Sequence, residues 1–290
     1  MSLFYKPKNL EELLLLRREN PKAELISGGT DVLVRLHKTG QDPDLIDLTS
    51  VGELKEISIN QELITVGAGA TFSEIIESDT IQTYAPILAC AAESIGSTQI
   101  RNRATIGGNL CNASPAADSP SALVVLEAKL NLMKMGQGGQ ETRQVSVEEF
   151  VLAPGQTLLE PDEILLSIEF PIPQSFGYSY EKVGRRKSLA ISRLSGSCLL
   201  KEKDGEIIDI RLSIGSVTNR PMRFSETERL LLSKKPDDAA LDEAGEMSSM
   251  IVKNITGIRE SSAYKIPVVN NVTKRLIETA FSSAACGEKK

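Results

Sequence analysis

Apolar positions along this chain change period several times, and the changes mark out its elements. Four leucines at 13–16 follow Asn9-Leu10-Glu11-Glu12, a helix start with Asn9 as cap and Glu12 at the reciprocal position. Pro21 ends that helix, and 23–27 has the apolar run of a short buried strand. Gly28-Gly29 then turns the chain into a helix over 31–38, closed by Gly40. A second strand at 45–48 completes a β-turn-α-β unit. A strand at 62–68, a capping box at Thr71-Phe72-Ser73-Glu74 and a longer helix over 85–94 follow. Residues 96–119 show neither helical nor strand periodicity but are dense in Gly, Asn, Ser, Thr and Pro. A loop that long inside a compact domain is usually functional. A helix near 120–126 and strands over 129–135 and 164–170 close this part, the last stopped by Pro171 and Pro173.

Beyond residue 175 the pattern becomes an antiparallel meander over 178–183, 192–203 and 206–216, with Asp204-Gly205 at a tight hairpin. Ser225-x-x-Glu228 opens a helix, and two more are expected over 237–252 and 268–285. The chain therefore reads as α+β: two α+β units over 1–55 and 56–174, then a small sheet with helices over 175–290.

Composition narrows the chemistry. The 290 residues are 41% hydrophobic and 25% charged with net charge −6, which disfavours a nonspecific nucleic-acid binder. No apolar run approaches the roughly 20 residues of a membrane span, and Met1-Ser2-Leu3-Phe4-Tyr5-Lys6-Pro7 is no signal pattern, so a cytoplasmic location is expected. The single histidine, His37, leaves little for a Ser-His-Asp triad or a multi-His metal site. Cys90, Cys111, Cys198 and Cys286 include no C-x-x-C, so neither a cluster nor a zinc site is expected. The chemistry is expected from a bound cofactor, with no catalytic side chain.

Two glycine-rich stretches stand out. In Leu25-Ile26-Ser27-Gly28-Gly29-Thr30-Asp31-Val32, between strand and helix, adjacent glycines let backbone N–H groups approach an anion at a helix N-terminus. A pyrophosphate suits this site best, although Gly-Gly after a strand is also an ordinary turn. It is neither G-x-G-x-x-G nor a P-loop. The second stretch, Ala104-Thr105-Ile106-Gly107-Gly108-Asn109-Leu110-Cys111-Asn112-Ala113-Ser114-Pro115-Ala116-Ala117-Asp118-Ser119, adds amides, hydroxyls and a carboxylate suited to phosphate and sugar oxygens. At Gly108 a side chain would fill the space through which backbone amides reach the ligand and would resist a positive φ.

These stretches resemble the two flavin-binding segments of the FAD-binding (medium) subunit of the xanthine dehydrogenase, or molybdenum hydroxylase, family, which includes carbon monoxide and nicotinate dehydrogenases. Further matches are Ile95-Gly96-Ser97-x-Gln99-Ile100-Arg101-Asn102, Leu159-x-Pro161-Asp162-Glu163-Ile164-Leu165, Tyr180-x-Lys182-x-Gly184-Arg185-Arg186 and Ser262-Ala263-x-Lys265. Their order and spacing run through almost the whole chain.

The resemblance implies a two-subdomain FAD-binding fold of the vanillyl-alcohol-oxidase (PCMH) type over 1–55 and 56–174. A C-terminal flavoprotein subdomain of antiparallel sheet and helical bundle would follow over 175–290. Residues 25–32 and 105–109 would cradle the pyrophosphate of a noncovalent FAD, and Ile95 would belong to its site. Asp118 would hold the sugar part, with Leu165 and Lys182 near the flavin. Alone, Leu165 also reads as core and Lys182 as solvated, and Arg185-Arg186-Lys187 as solvated surface or interface. Gln156 stands where some relatives carry Lys or Arg, which bears on flavin potential.

The expected partners are a small [2Fe-2S] iron–sulfur subunit, one or more large molybdopterin-binding subunits, and NAD(P)⁺ or another acceptor. Molybdopterin and [2Fe-2S] clusters belong only to the partners. The substrate of the complex would be an N-heterocycle such as nicotinate. A stand-alone FAD-dependent oxidase or reductase of the same fold, or a nonredox nucleotide-binding module, are the alternatives.

Overall fold

The computed structural model describes residues 2–184, 192–258 and 260–287, and the chain divides into two compact units. The first comprises Met1–Thr83, Ile95–Ser114 and Ala128–Ile172; the second comprises Tyr84–Ser94, Pro115–Glu127 and Pro173–Lys290. The Arg185-Arg186-Lys187 cluster lies outside the described residues.

In the first unit a three-stranded parallel sheet runs in the order Phe4–Tyr5, Leu45–Asp47, Glu24–Ile26. The two-residue strand Phe4–Tyr5 is too short to leave a period in the sequence. The leucine-rich helix is Leu10–Glu19, and it buries Leu13 and Leu14 with Ile46 and Val51. Asn9 caps it by accepting from the Glu12 amide at 2.9 Å, but the reciprocal bond is displaced. The Glu12 carboxylate accepts from the amide of Lys8 rather than that of Asn9.

A second sheet has five strands in the order Ile57–Asn60, Leu63–Gly67, Ile164–Pro171, Lys129–Gly136, Gly139–Ser146, each pair antiparallel. Its two outer strands escape the sequence reading because an edge strand facing water needs no alternation of apolar residues. The small pair Val151–Ala153 and Gln156–Thr157 escapes it for its brevity. The 96–119 segment is a correction: it contains two helices, Thr98–Arg101 and Ile106–Cys111, capped by the side chains of Ser97 and Thr105. At four and six residues they are too short for a 3.6-residue period to register.

Buried polar contacts fasten the first unit. Arg17, only 8% exposed, donates to the carbonyls of Ala23 at 2.6 Å and Glu163 at 3.3 Å. The buried Glu163 carboxylate takes both ends of the Arg143 guanidinium, at 2.6 and 2.7 Å, and the Glu160 amide.

In the second unit the meander forms as expected: Gly177–Gly184, Ser192–Lys203 and Glu206–Gly215, antiparallel in that order. Asp204 and Gly205 both have positive φ, 54° and 80°, as a two-residue type I′ hairpin requires. One sheet face packs its Leu194, Cys198, Leu200, Leu212 and Ile214 in a core shared with the helices Asp238–Thr256 and Ser262–Gly287. The last helix begins earlier than expected and runs through Pro267, whose position in the second turn sacrifices a single amide. The helices Pro86–Glu93 and Ser119–Val125 also belong to this unit.

Candidate functional site

The first glycine-rich turn joins the strand Glu24–Ile26 to the helix Val32–Thr39. Gly29 has φ +73°, a left-handed conformation that side chains resist. Gly28 is required for a different reason. A Cβ there would stand 1.8 Å from the Arg103 carbonyl oxygen, because the 25–32 turn lies backbone to backbone on the segment leading into the second stretch. Asp31, at the helix start, makes no side-chain capping bond. Among the described residues the N–H groups of Gly28, Gly29, Thr30, Asp31 and Val32 have no protein acceptor. Five adjacent donors at a helix N-terminus form an anion site, since the helix dipole and the N–H groups act together.

The second Gly-Gly opens the helix Ile106–Cys111 and differs from expectation. Its first-turn amides are already used: Ile106 donates to Ala70, Gly107 to Ala68, Gly108 to the Thr105 hydroxyl and Asn109 to Thr105. Gly107 is a packing glycine whose Cβ would lie 2.6 Å from the Ala68 carbonyl oxygen. Gly108 is not in the positive-φ region, which corrects that part of the sequence reading. Outside its own helix backbone and chain neighbours, its Cβ would meet only the Thr105 hydroxyl, at 2.9 Å. Here the protein leaves a space that any side chain would enter. Free amides at 28–32 and an uncovered glycine at 108 fit a diphosphate-bearing cofactor.

Ile95 and Leu165, also in the first unit, are 8% and 6% exposed. The Ile95 carbonyl accepts from Arg101 at 3.0 Å, and Leu165 lies at a bulge of the strand Ile164–Pro171. His37 is exposed on the helix Val32–Thr39.

Asp118 and Lys182, in the second unit, form one buried device. Lys182 Nζ donates to Asp118 Oδ2 at 2.6 Å and to the Ser94 carbonyl at 2.8 Å. Burial pushes the Asp118 carboxyl above its ordinary value, with Lys182 and Ser192 pulling against it. Asp118 Oδ1 is buried and accepts no protein hydrogen bond, so its acceptor capacity is unspent. Tyr180, whose hydroxyl lies 2.9 Å from Ser94 Oγ, is held protonated by burial and by Asp118. Asp118 and Lys182 are legible in the sequence only one at a time; Tyr180 enters it only as part of the Tyr180-x-Lys182 match, and Ser94 not at all. The signal for Tyr180 is its spacing of two from Lys182, which puts both side chains on one face of a strand; nothing local marks Ser94.

Among the described residues Cys90, Cys111 and Cys198 offer no nucleophile: burial raises Cys90, pushes Cys111 up to about 12 and raises Cys198 further. Among the described residues no three His, Cys, Asp or Glu side chains are grouped to hold a metal, and no helix is long and apolar enough to cross a membrane.

Fold and turn together define a domain whose main-chain amides at 28–32 are grouped as an anion would require. The family described as the FAD binding domain in molybdopterin dehydrogenase matches residues 1–173, and the CO dehydrogenase flavoprotein C-terminal domain matches 178–280. The chain is 31% identical to the nicotinate dehydrogenase FAD-subunit of Eubacterium barkeri, over 94% of each. It is 29% identical to the xanthine dehydrogenase FAD-binding subunit of Escherichia coli O157:H7, over 97% of this chain and 96% of that one. A solved carbon monoxide dehydrogenase from Hydrogenophaga pseudoflava has a chain that superposes with TM-score 0.88 at 26% identity, covering 97% of this chain and 98% of that chain. This chain therefore belongs to the FAD-binding subunits of the molybdenum hydroxylase family. It is a flavoprotein subunit of an oxidoreductase.

Proposed function

We propose that the chain binds one FAD noncovalently and relays electrons within a complex. Electrons would come from [2Fe-2S] clusters of a small partner subunit and leave to NAD(P)⁺ or another acceptor. One or more large molybdopterin-binding subunits would hydroxylate the substrate, an N-heterocycle such as nicotinate. Relatives named as FAD-binding subunits of xanthine and nicotinate dehydrogenases, and as medium chains of carbon monoxide dehydrogenase, support this assignment. A cytoplasmic location goes with that reading.

The observation that carries it is the row of five unmatched amides at 28–32 beside a glycine left bare at 108. Bound FAD supplies the redox chemistry, taking electrons one at a time and giving them up in pairs. The chain's part is to bind and orient. Gly28, Gly29, Thr30, Asp31 and Val32 present N–H groups to the diphosphate, with Leu25, Ile26 and Ser27 setting the strand that aims them. Thr105, Ile106, Gly107, Gly108 and Asn109 keep the space beside it clear. Ile95 and Leu165 supply apolar contact. Asp118 accepts from a cofactor hydroxyl, and Lys182 places a fixed positive charge toward the flavin. No side chain has to act as acid or base.

Mild purification from the native host tests the subunit reading. A small iron–sulfur chain and a molybdopterin chain should copurify, and acid precipitation should release all yellow colour. A partner-free, flavin-loaded oxidase turning over its own organic substrate would establish the stand-alone alternative instead.

A further inference from the structure

The sheet of the second unit has one face that is apolar, against the C-terminal helices, and one that is not. The polar face carries Tyr180, Lys182, Ser195, Ser197 and Ser213, with Ser195 and Ser197 fully buried. The helix Ser119–Val125 packs on the two strands that bear these serines. Serines buried in a strand are costly unless each hydroxyl finds a partner. At one end they do. Ser197 Oγ lies 2.9 Å from Ser121 Oγ, and Ser213 donates to the Met222 carbonyl at 2.9 Å.

At the other end Lys182, Ser195 and Gly215 stand side by side in register across the three strands. There Asp118 Oδ1, Ser192 Oγ and Ser195 Oγ are all buried without a protein partner. Ser192 stands close enough to lower the Asp118 pKa but completes no hydrogen bond. Gly215 keeps the spot clear: a Cβ on it would come 2.7 Å from Ser195 Oγ and 3.8 Å from the Ala117 carbonyl. Several buried polar atoms around one small clearing are what an internal water requires, typically two to four partners.

We propose that Asp118 Oδ1, Ser192 Oγ and Ser195 Oγ bind an internal water, and that the two serines act through it as positioning residues for the Asp118–Lys182 pair. The water donates to Asp118 Oδ1, and a serine hydroxyl completes its shell. That extra donor favours the charged carboxylate, which in turn holds Lys182 between Asp118 Oδ2 and the Ser94 carbonyl. Among the described residues the titratable groups facing Asp118 are Lys182 and Tyr180, both on the strand Gly177–Gly184, with the Cys90 thiol of the helix Pro86–Glu93 beyond Tyr180. The consequence for the cofactor rests on the proposed role of Asp118 and Lys182; the water site itself does not.

The test uses the full chain, with and without FAD. Carboxyl-carbon NMR should show the Asp118 titration moving up by about one pH unit in Ser195→Ala, the loss expected for one hydrogen bond to a charged group. Gly215→Ala, which closes the clearing by a different route, should move it the same way. Ser197→Ala, which loses a direct partner on the same face, should not. Crystals of the wild type should show a water within about 3.2 Å of Asp118 Oδ1 and Ser195 Oγ. An unmoved Asp118, an equal shift from Ser197→Ala, or density there continuous with FAD would overturn the water site. A shifted Asp118 with unchanged FAD affinity would leave the water site standing and remove Asp118 from the cofactor's contacts.

Discussion

Gly28→Ala tests how the anion turn is held. The added Cβ would lie 1.8 Å from the Arg103 carbonyl oxygen and 2.5 Å from its carbon. A relaxed carbon–oxygen contact is about 3.3 Å, so the two segments must part by roughly 1.5 Å. Both sides of the clash are main chain, so no rotamer can absorb it. Overpacking of this kind costs 1–3 kcal/mol, and rigid backbone argues for about 3 kcal/mol. In a protein of this size that is a fall in Tm of roughly 6–12 °C. The parting also moves the free amides of 28–32, so FAD affinity should fall at least about tenfold, a change of about 1.4 kcal/mol. Circular-dichroism melting and a fluorescence titration with FAD measure the two effects. Gly52→Ala is the control, because its Cβ would meet nothing within 4 Å. A Gly28→Ala protein melting within about 2 °C of wild type, with unchanged FAD affinity, would show that the turn does not rest on residue 103 as described.

Gly107→Ala and Gly108→Val should behave oppositely. The first, pressed against Ala68, should lose about 1–3 kcal/mol of stability, whereas the second should lose FAD with a Tm closer to wild type; equal behaviour in paired melts and titrations would refute the division. Glu163→Gln should cost about 1–2 kcal/mol at neutral pH by urea unfolding, a figure reduced because Arg143 is 37% exposed. Burial alone would raise the Glu163 pKa, but Arg143 and the Glu160 amide hold it below 4.5. Its stabilisation is therefore present above 4.5 and lost as the pH falls through the folded value, so the mutant deficit should vanish in acid; a pH-independent deficit would contradict this. If Lys182 faces the flavin as proposed, Lys182→Met removes that charge and leaves Asp118 without its partner, and should weaken FAD about 10- to 100-fold by fluorescence titration; unchanged affinity would remove Lys182 from the site.

Local chemistry was legible in the sequence wherever a few neighbouring residues decide the outcome. Thr71 and Glu74 form both halves of their capping box, Gly40 takes the left-handed cap at φ 66°, and Asp204-Gly205 makes its hairpin. What remained hidden depends on distant chain. Glycine pairs at 28–29 and 107–108 look alike in sequence, yet Gly28 and Gly107 answer to the carbonyls of Arg103 and Ala68, while Gly29 answers to its own φ and Gly108 stands bare. The amides of 106 and 107 were expected to face a ligand, but the carbonyls of Ala70 and Ala68 take them, an interaction no local pattern announces. Likewise Asp118 and Lys182 lie 64 residues apart, so their ion pair exists only once the 177–184 strand is in place.

In the proposed function, main-chain donors of the first unit hold the diphosphate of FAD. Titrating the purified, flavin-free full chain with FAD and, separately, with riboflavin sets an upper bound on that contribution, because riboflavin carries the ring and ribityl chain but neither the diphosphate nor the adenosine. One FAD should bind per chain, with riboflavin at least about 100-fold weaker, a difference of about 2.7 kcal/mol that two charge-assisted hydrogen bonds would supply. Riboflavin binding as tightly as FAD would show that the 28–32 amides do not hold the cofactor.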